Sequence, residues 1–235
     1  MRTIQLAIMA VALVMAAQVH AGLTDLINNG NFNNTQGTFS PNHTDPGAMN
    51  VLPGQTYIPG WTVETSPVSW DNSANPYGLT GANGSSYFLD LTGWQDKSPF
   101  GQVSQTINTT VGQAYQLTFF IGSSTTYDAK APGIDLKITG IGAAGSPGSD
   151  YYTTLSGKNN WQQFTVDFTA GKSQTTLYFK GLSGGGSFTE YIGLDNVHLT
   201  AVPESTTVFA GIGALCLVLF GAGVHSKRSV IRIGK

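Results

Sequence analysis

The stretch Tyr115-Gln116-Leu117-Thr118-Phe119 decides the fold class, because apolar and polar side chains alternate along it. Alternation with a period of two is typical of a strand with one buried face. The same pattern recurs at residues 87–91, 101–107, 134–138, 164–168, 177–179 and 191–199. Between residues 22 and 204 no stretch has the period of an amphipathic helix. The sequence therefore predicts one all-β domain of two packed antiparallel sheets, a β-sandwich or jelly roll.

Two regions lack this alternation and are predicted to be irregular. Residues 33–59 are rich in Asn, Thr, Pro and Gly, and residues 71–86 combine Trp and Tyr neighbours with several Asn and Gly. Loops of this length are usually functional or mobile. We expect the first to cross the edge of the sandwich without forming a strand.

The N-terminus has the pattern of a secretory signal peptide. Arg2 precedes an apolar stretch at residues 6–17, and Val19-His20-Ala21 provides a small-residue cleavage pattern. We expect residues 1–21 to be removed. The alternative is an uncleaved N-terminal helix.

The C-terminus has the pattern of a membrane segment. Val202, Pro203 and Glu204 precede a charge-free run at residues 205–224 and a basic tail at 225–235. A 20-residue helix is long enough to cross a hydrocarbon layer of about 30 Å, and basic flanks stay on the cytoplasmic side. The sequence predicts that residues 22–201 are exported, and that the run is either a permanent anchor or a segment removed by processing.

Composition excludes several classes of function for the exported part. Residues 22–204 contain six Lys, no Arg and thirteen acidic residues, a formal charge of −7, although the whole chain has only −2. An acidic domain without Arg does not suit nucleic acid, whose phosphates require basic clusters. The single cysteine, Cys216, lies in the apolar run, so the exported domain has neither a disulfide nor a thiol nucleophile.

The C-terminal arrangement resembles the PEP-CTERM sorting signal. Val202, Pro203 and Glu204 match its motif, whereas Ser205 stands where the second proline belongs. The resemblance implies recognition by an exosortase-like membrane protease, and release or transfer to the cell surface or extracellular matrix.

The domain itself resembles the β-sandwich proteins grouped as DUF642 or choice-of-anchor C. It is similar also to galactose-binding-like jelly rolls, including family 4/9 carbohydrate-binding modules. The stretches that carry the resemblance are residues 27–32, 58–63 with 68–70, 86–93, 101–106 with 115–119, and 193–199. They imply a galactose-binding-like β-sandwich over nearly the whole exported domain.

A structural Ca²⁺ site is one expectation from this resemblance. In related jelly rolls the first and last strands lie side by side, and Ca²⁺ often joins them through oxygen ligands. Asp195 and a side-chain or backbone oxygen between Asn29 and Asn31 would bind it here. The alternative is that Asp195 accepts hydrogen bonds from backbone N–H groups.

A sugar-binding surface is the second expectation. Sugar rings stack on aromatic side chains, while amides and carboxylates bind their hydroxyls. Trp70, Tyr77, Trp94 and Asp96 lie in polar, loop-like surroundings and are predicted to form this surface. Trp61 and Trp161 begin strands and are expected to be buried.

The sequence gives little support for catalysis. It has no H-E-x-x-H and no phosphate loop, and the domain's acidic residues form no glycosidase pattern. We therefore expect a non-catalytic exported surface or matrix protein that associates with polysaccharide. The alternative is a structural or adhesive surface protein that contacts other proteins or copies of itself.

Overall fold

A computed structural model describes residues 24–42, 45–76, 78–96, 98–123, 132–142, 149–154, 161–183 and 191–203, with the backbone alone at 95, 132, 149–154 and 183. Contacts divide the chain into two units, Met1–Ala201 and Val202–Lys235, and all the strands belong to the first. The predicted signal peptide, Glu204, the apolar run and the basic tail lie outside the described residues. Within the described ranges, no helix has the length and apolar character needed to cross a membrane.

The described part of the chain is all-β, as predicted, with two short 3-10 turns, Ala82–Gly84 and Gly93–Gln95, as its helical elements. The strands are β1 Ala48–Val51, β2 Thr62–Val63, β3 Val68–Asn72, β4 Tyr87–Asp90, β5 Gln102–Asn108, β6 Ala114–Gly122, β7 Pro132–Thr139, β8 Ser149–Thr154, β9 Gln162–Thr169, β10 Gln174–Ser183 and β11 Gly193–Ala201.

These strands form two antiparallel sheets. The six-stranded sheet has the order β1-β3-β4-β11-β6-β9, and the five-stranded sheet has the order β2-β5-β10-β7-β8. Their inner faces pack together in a core of fully buried side chains, among them Trp70, Phe119 and Phe179. The rings of Phe119 on β6 and Phe179 on β10 meet edge to face at 5.2 Å, which joins the two sheets at the centre.

All seven alternating stretches coincide with strands, which confirms those predictions. The prediction of a strandless segment at 33–59 is wrong, because β1 lies within it and pairs with β3 in the register Met49↔Trp70. The β1 sequence, Ala-Met-Asn-Val, is too short for its alternation to be recognised. β3 also extends to Asn72, into the second region predicted to be irregular.

The N-terminal segment lies beside the last strand, as expected. The Leu26 N–H donates to Leu199 O at 2.9 Å, and the Val197 N–H donates to Gly30 O at 3.0 Å. A Cβ atom at Gly30 would lie 1.9 Å from Val197 O, so this close approach requires glycine.

Candidate functional site

Each sheet has an outer face, and the outer face of the five-stranded sheet is open. Its side chains alternate with core residues along β5, β7 and β10. We call this surface the open face and define it by Gln102, Ser104, Thr106, Asp135, Lys137, Thr176, Tyr178 and Lys180. All are polar or amphipathic, and Lys137 and Thr106 are exposed.

Tyr178 lies at the centre of the open face. It is half-buried on β10, the middle strand of the sheet. Its register partners are Ser104 on one side and Lys137 on the other, and two residues further along β10 Lys180 pairs with Gln102 and Asp135. Polar side chains therefore surround the aromatic ring on both neighbouring strands.

A carboxylate extends this polar surface towards the sheet edge. The Ser104 hydroxyl donates to Glu64 Oε1, and the Glu64 N–H donates to Gln102 O at 2.8 Å, which holds Glu64 beside β5. Further along the same two strands, the Thr106 and Thr176 hydroxyls are hydrogen-bonded at 2.9 Å. The open face thus offers fixed hydrogen-bonding groups around one aromatic ring.

Part of the outer face of the six-stranded sheet is covered instead. We call it the covered face and define it by Asn50, Ser69, Asp71, Phe88, Asp90, Gly122, Gly193 and Asp195. Phe88 is 1% exposed although it points away from the core between the sheets. The Trp161 indole packs against it with ring centroids 5.7 Å apart and donates a hydrogen bond to Thr80 O.

Two glycines make room for this indole. Gly193 and Gly122 are register partners on β11 and β6, and a Cβ atom at either position would lie 2.7 Å from a ring carbon of Trp161. Real Cβ atoms essentially never approach so closely. The expectation of burial is confirmed for Trp61, which is 2% exposed in the core. Trp161 is half-buried and seals the covered face rather than filling the core.

The covered face contains three buried carboxylic acids. Asp71 and Asp90 are each 1% exposed, and Asp195 is fully buried. Burial, together with the neighbouring Asp90, raises the pKa of Asp71 well above its usual value. Burial also raises the pKa of Asp90 to about 7 and that of Asp195 to about 8, against hydrogen bonds that lower both values.

Asp195 connects β11 to the loop that covers this face. Its Oδ2 accepts the Ala82 N–H at 2.8 Å, and its Oδ1 accepts the Asn196 N–H at 2.7 Å. A β-bulge follows between Asp195 and His198, with Asn196 at φ 47°. This geometry agrees with the alternative interpretation of Asp195 as an acceptor for backbone N–H groups.

The other predicted calcium ligands are engaged in local turns. Asn29 Oδ1 accepts the Asn34 N–H at 2.8 Å, and Asn31 Oδ1 accepts the Asn33 N–H at 3.2 Å. Across the described ranges, no three His, Cys, Asp or Glu side chains form a group that could hold a metal ion. Calcium binding at Asn29, Asn31 and Asp195 stays a prediction.

The predicted sugar-binding residues are separated in the structure. Trp70 is fully buried, and its indole N–H donates to Phe32 O at 3.2 Å, so its prediction as a surface residue is wrong. The reason is that β3 continues through Trp70 and turns it into the core. Trp94 is 40% exposed, and half-buried Asp96 follows it in the loop between β4 and β5. Tyr77 lies outside the described residues.

Sequence reasoning did not identify Tyr178 as a binding residue. The alternation in Leu177-Tyr178-Phe179 indicates its position, because Leu177 and Phe179 lie in the core and Tyr178 therefore lies on the outer face. The predicted sugar-binding surface consisted of aromatic residues in polar, loop-like surroundings, whereas Tyr178 lies within a strand.

The fold defines a β-sandwich protein with one open and one covered outer face. The chain belongs to the family described as "Protein of unknown function (DUF642)", whose model matches residues 25–187. The DUF642 part of the resemblance drawn from the sequence is thereby confirmed. No curated protein matches the chain.

Several solved β-sandwich structures are similar to the chain. A family 61 carbohydrate-binding module, TmCBM61, in complex with β-1,4-galactotriose is 16% identical with a TM-score of 0.45, covering 76% of this chain and 99% of that chain. The K1 cleaved adhesin domain of Lys-gingipain from Porphyromonas gingivalis W83 is 17% identical with a TM-score of 0.44, covering 67% and 100%. A family 35 carbohydrate-binding module from Clostridium thermocellum is 14% identical with a TM-score of 0.34, covering 66% and 92%. Similarities at these TM-scores do not identify a ligand.

Proposed function

We propose that this protein is a non-catalytic polysaccharide-binding protein of the cell surface or extracellular matrix, and that the open face binds the glycan. One observation supports this most strongly. Tyr178 presents a half-buried aromatic ring on the middle strand of the sheet, with polar side chains in register on both sides. The ring would stack on the C–H face of a sugar, while Gln102, Lys137 and Lys180 would bind its hydroxyls.

The alternative surface within the same function is the loop that contains Trp94 and Asp96. Its indole is exposed, and Asp96 Oδ1 lies 2.9 Å from Thr92 Oγ1. On both surfaces an aromatic ring lies beside side-chain oxygens that can form hydrogen bonds with a sugar. Only the open face, however, surrounds its ring with groups fixed on three strands.

Affinity electrophoresis tests the proposal directly. The full-length protein, purified in a mild detergent because of its predicted C-terminal helix, is run in native gels that contain a panel of neutral and acidic polysaccharides. We expect at least one polysaccharide to retard it, and Tyr178→Ala to weaken binding about two- to tenfold, since an aromatic pair contributes about 0.5–1.5 kcal/mol beyond its buried area. Circular dichroism checks that each variant is folded.

Tyr57→Ala is the matched control, because Tyr57 is 41% exposed and lies outside both faces. Trp94→Ala separates the two surfaces. If Trp94→Ala abolishes retardation and Tyr178→Ala does not, the glycan binds at the loop instead. If no polysaccharide retards the protein while it self-associates, a structural or adhesive role replaces the proposed one.

We propose further that the chain is exported by residues 1–21 and sorted through Val202, Pro203 and Glu204 by an exosortase-like protease, with residues 205–224 as a transient membrane helix. The terminal sequence patterns support this. Mass spectrometry of the mature protein tests it, because a mature chain that starts at Gly22 and lacks the basic tail is expected. A mature chain that retains Lys227 and Arg228 would show a permanent anchor instead.

A further inference from the structure

Three oxygen-bearing side chains of the covered face lie on adjacent strands. Asn50 on β1 is the register partner of Ser69 on β3, and Ser69 is in turn the partner of Asp90 on β4. Asp71 follows Ser69 by two residues and therefore points to the same face. Its Oδ1 accepts the Ser69 hydroxyl hydrogen at 2.5 Å, which draws the Asp71 carboxylate towards the row that contains Asn50 and Asp90.

Two buried oxygens in this group have no hydrogen-bond partner among the described residues. They are Asp71 Oδ2 and Asn50 Oδ1. The Asp71 side chain is 99% buried, since its exposed fraction is 1%. A buried acceptor without a donor is destabilising, and more so when it is charged. The native structure therefore calls for a positive or hydrogen-donating partner at this point.

Asp90 has unused acceptor capacity in the same place. Its Oδ1 accepts the Thr92 and Ile192 N–H groups, each at 3.0 Å, whereas the donor described near Oδ2 is the Thr92 hydroxyl at 2.8 Å, which also lies 2.9 Å from Oδ1. That hydroxyl also lies 2.9 Å from Asp96 Oδ1. Its one hydrogen thus serves carboxylates of both Asp90 and Asp96.

A proton satisfies only part of this arrangement. A proton on Asp71 Oδ2 could donate to Asn50 Oδ1, but it leaves Asp90 Oδ2 sharing one hydroxyl hydrogen with Asp96. A water molecule could donate to both unpartnered oxygens, but it would leave the buried charges of Asp71 and Asp90 uncompensated. A cation satisfies the oxygens and compensates the charge together.

We propose that Asp71, Asp90 and Asn50 bind a Ca²⁺ ion on the covered face, where it joins β1, β3 and β4. Carboxylate and amide oxygens are the ligands that Ca²⁺ prefers, and its six to eight positions are completed by hydroxyl oxygens and water. The proposed site has two carboxylates and neutral oxygens as ligands. The described residues form no site with three or more His, Cys, Asp or Glu ligands. This site is distinct from the one predicted at Asn29, Asn31 and Asp195.

Thermal unfolding of the full-length protein with and without calcium tests the proposal. After treatment with EDTA, calcium in hundred-fold excess over its Kd is expected to raise the Tm by about 5–10 °C. Asp71→Asn is expected to lower calcium affinity at least tenfold by titration calorimetry. Without calcium, this variant should unfold at or above the wild-type temperature, because it removes a buried charge beside Asp90.

Three further variants keep the result decisive. Asp167→Asn makes the same chemical change at an exposed position on β9 and should retain the full calcium response. Asp195→Asn should also retain it, which separates this site from the one at β11. Asn50→Ala removes one neutral ligand and should weaken calcium binding if Asp71→Asn does not fold.

Two results would overturn the proposal. One is a wild-type Tm that calcium does not change, which would assign a water or a proton to the unpartnered oxygens. The other is a calcium response that survives Asp71→Asn and is lost in Asp195→Asn.

Discussion

The open face and the covered face have the same strand alternation but different environments. On the covered face the outward side chains Phe88 and Asp90 are buried, and Trp161 packs against Phe88. On the open face Tyr178 and Lys137 keep contact with solvent. Alternation along a strand distinguishes buried from exposed side chains only when nothing packs on the outer face of the sheet. The comparison teaches that the covered face supports the fold, whereas the described part of the open face keeps Lys137 and Thr106 exposed.

The largest expected effect is the loss of the buried ring on the covered face. Phe88→Ala removes a side chain that is 1% exposed and packs against Trp161, so it should lower the free energy of unfolding by about 3–5 kcal/mol. Tyr178→Ala, the matched change on the open face, should cost less than about 1.5 kcal/mol. Urea denaturation measures both, and equal losses would refute the distinction between the faces.

The next effect is a dependence of stability on pH. In the unfolded chain an aspartate has a pKa of about 3.9, whereas burial raises the pKa of Asp90 to about 7 and that of Asp195 to about 8. The folded protein therefore binds more protons, so this stability is complete below about pH 4 and is lost as pH rises through 7 and 8. Between pH 5 and 7.5, in buffer with EDTA, the free energy of unfolding should fall by up to about 1.4 kcal/mol per pH unit for each of the two acids.

The variants are compared by the slope of unfolding free energy against pH, not by their absolute stability. Asp195→Asn should flatten the decline, and Asp167→Asn should leave it unchanged. A protein that becomes more stable from pH 5 to 7.5 without calcium would show that these acids are ionised in the folded state.

A smaller effect tests how Trp161 seals the covered face. Gly122→Ala places a Cβ atom 2.7 Å from the indole and should cost about 1–2 kcal/mol. In a Trp161→Ala background the same substitution should cost almost nothing, because the collision is gone. A double-mutant cycle measures this coupling, and strictly additive losses would mean that the indole does not depend on the glycine.

The sequence predicted the class of fold and most of its strands, because seven stretches had clear alternation and each became a strand. It missed β1, whose four residues are too few to show a period. It placed Trp70 on the surface because the Asn and Gly residues that follow conceal the end of β3. Buried carboxylates were harder to foresee, since Asp71 and Asp90 occupy outward positions that the alternation alone predicts to be exposed.

Two-dimensional NMR of the isotope-labelled full-length protein, titrated with the polysaccharide that retards it most, tests the central claim most directly. We predict that amide shifts change along β5, β7 and β10, with the largest changes near Tyr178. Shifts confined to the Trp94 loop or to the covered face would contradict the assignment of the open face as the ligand surface.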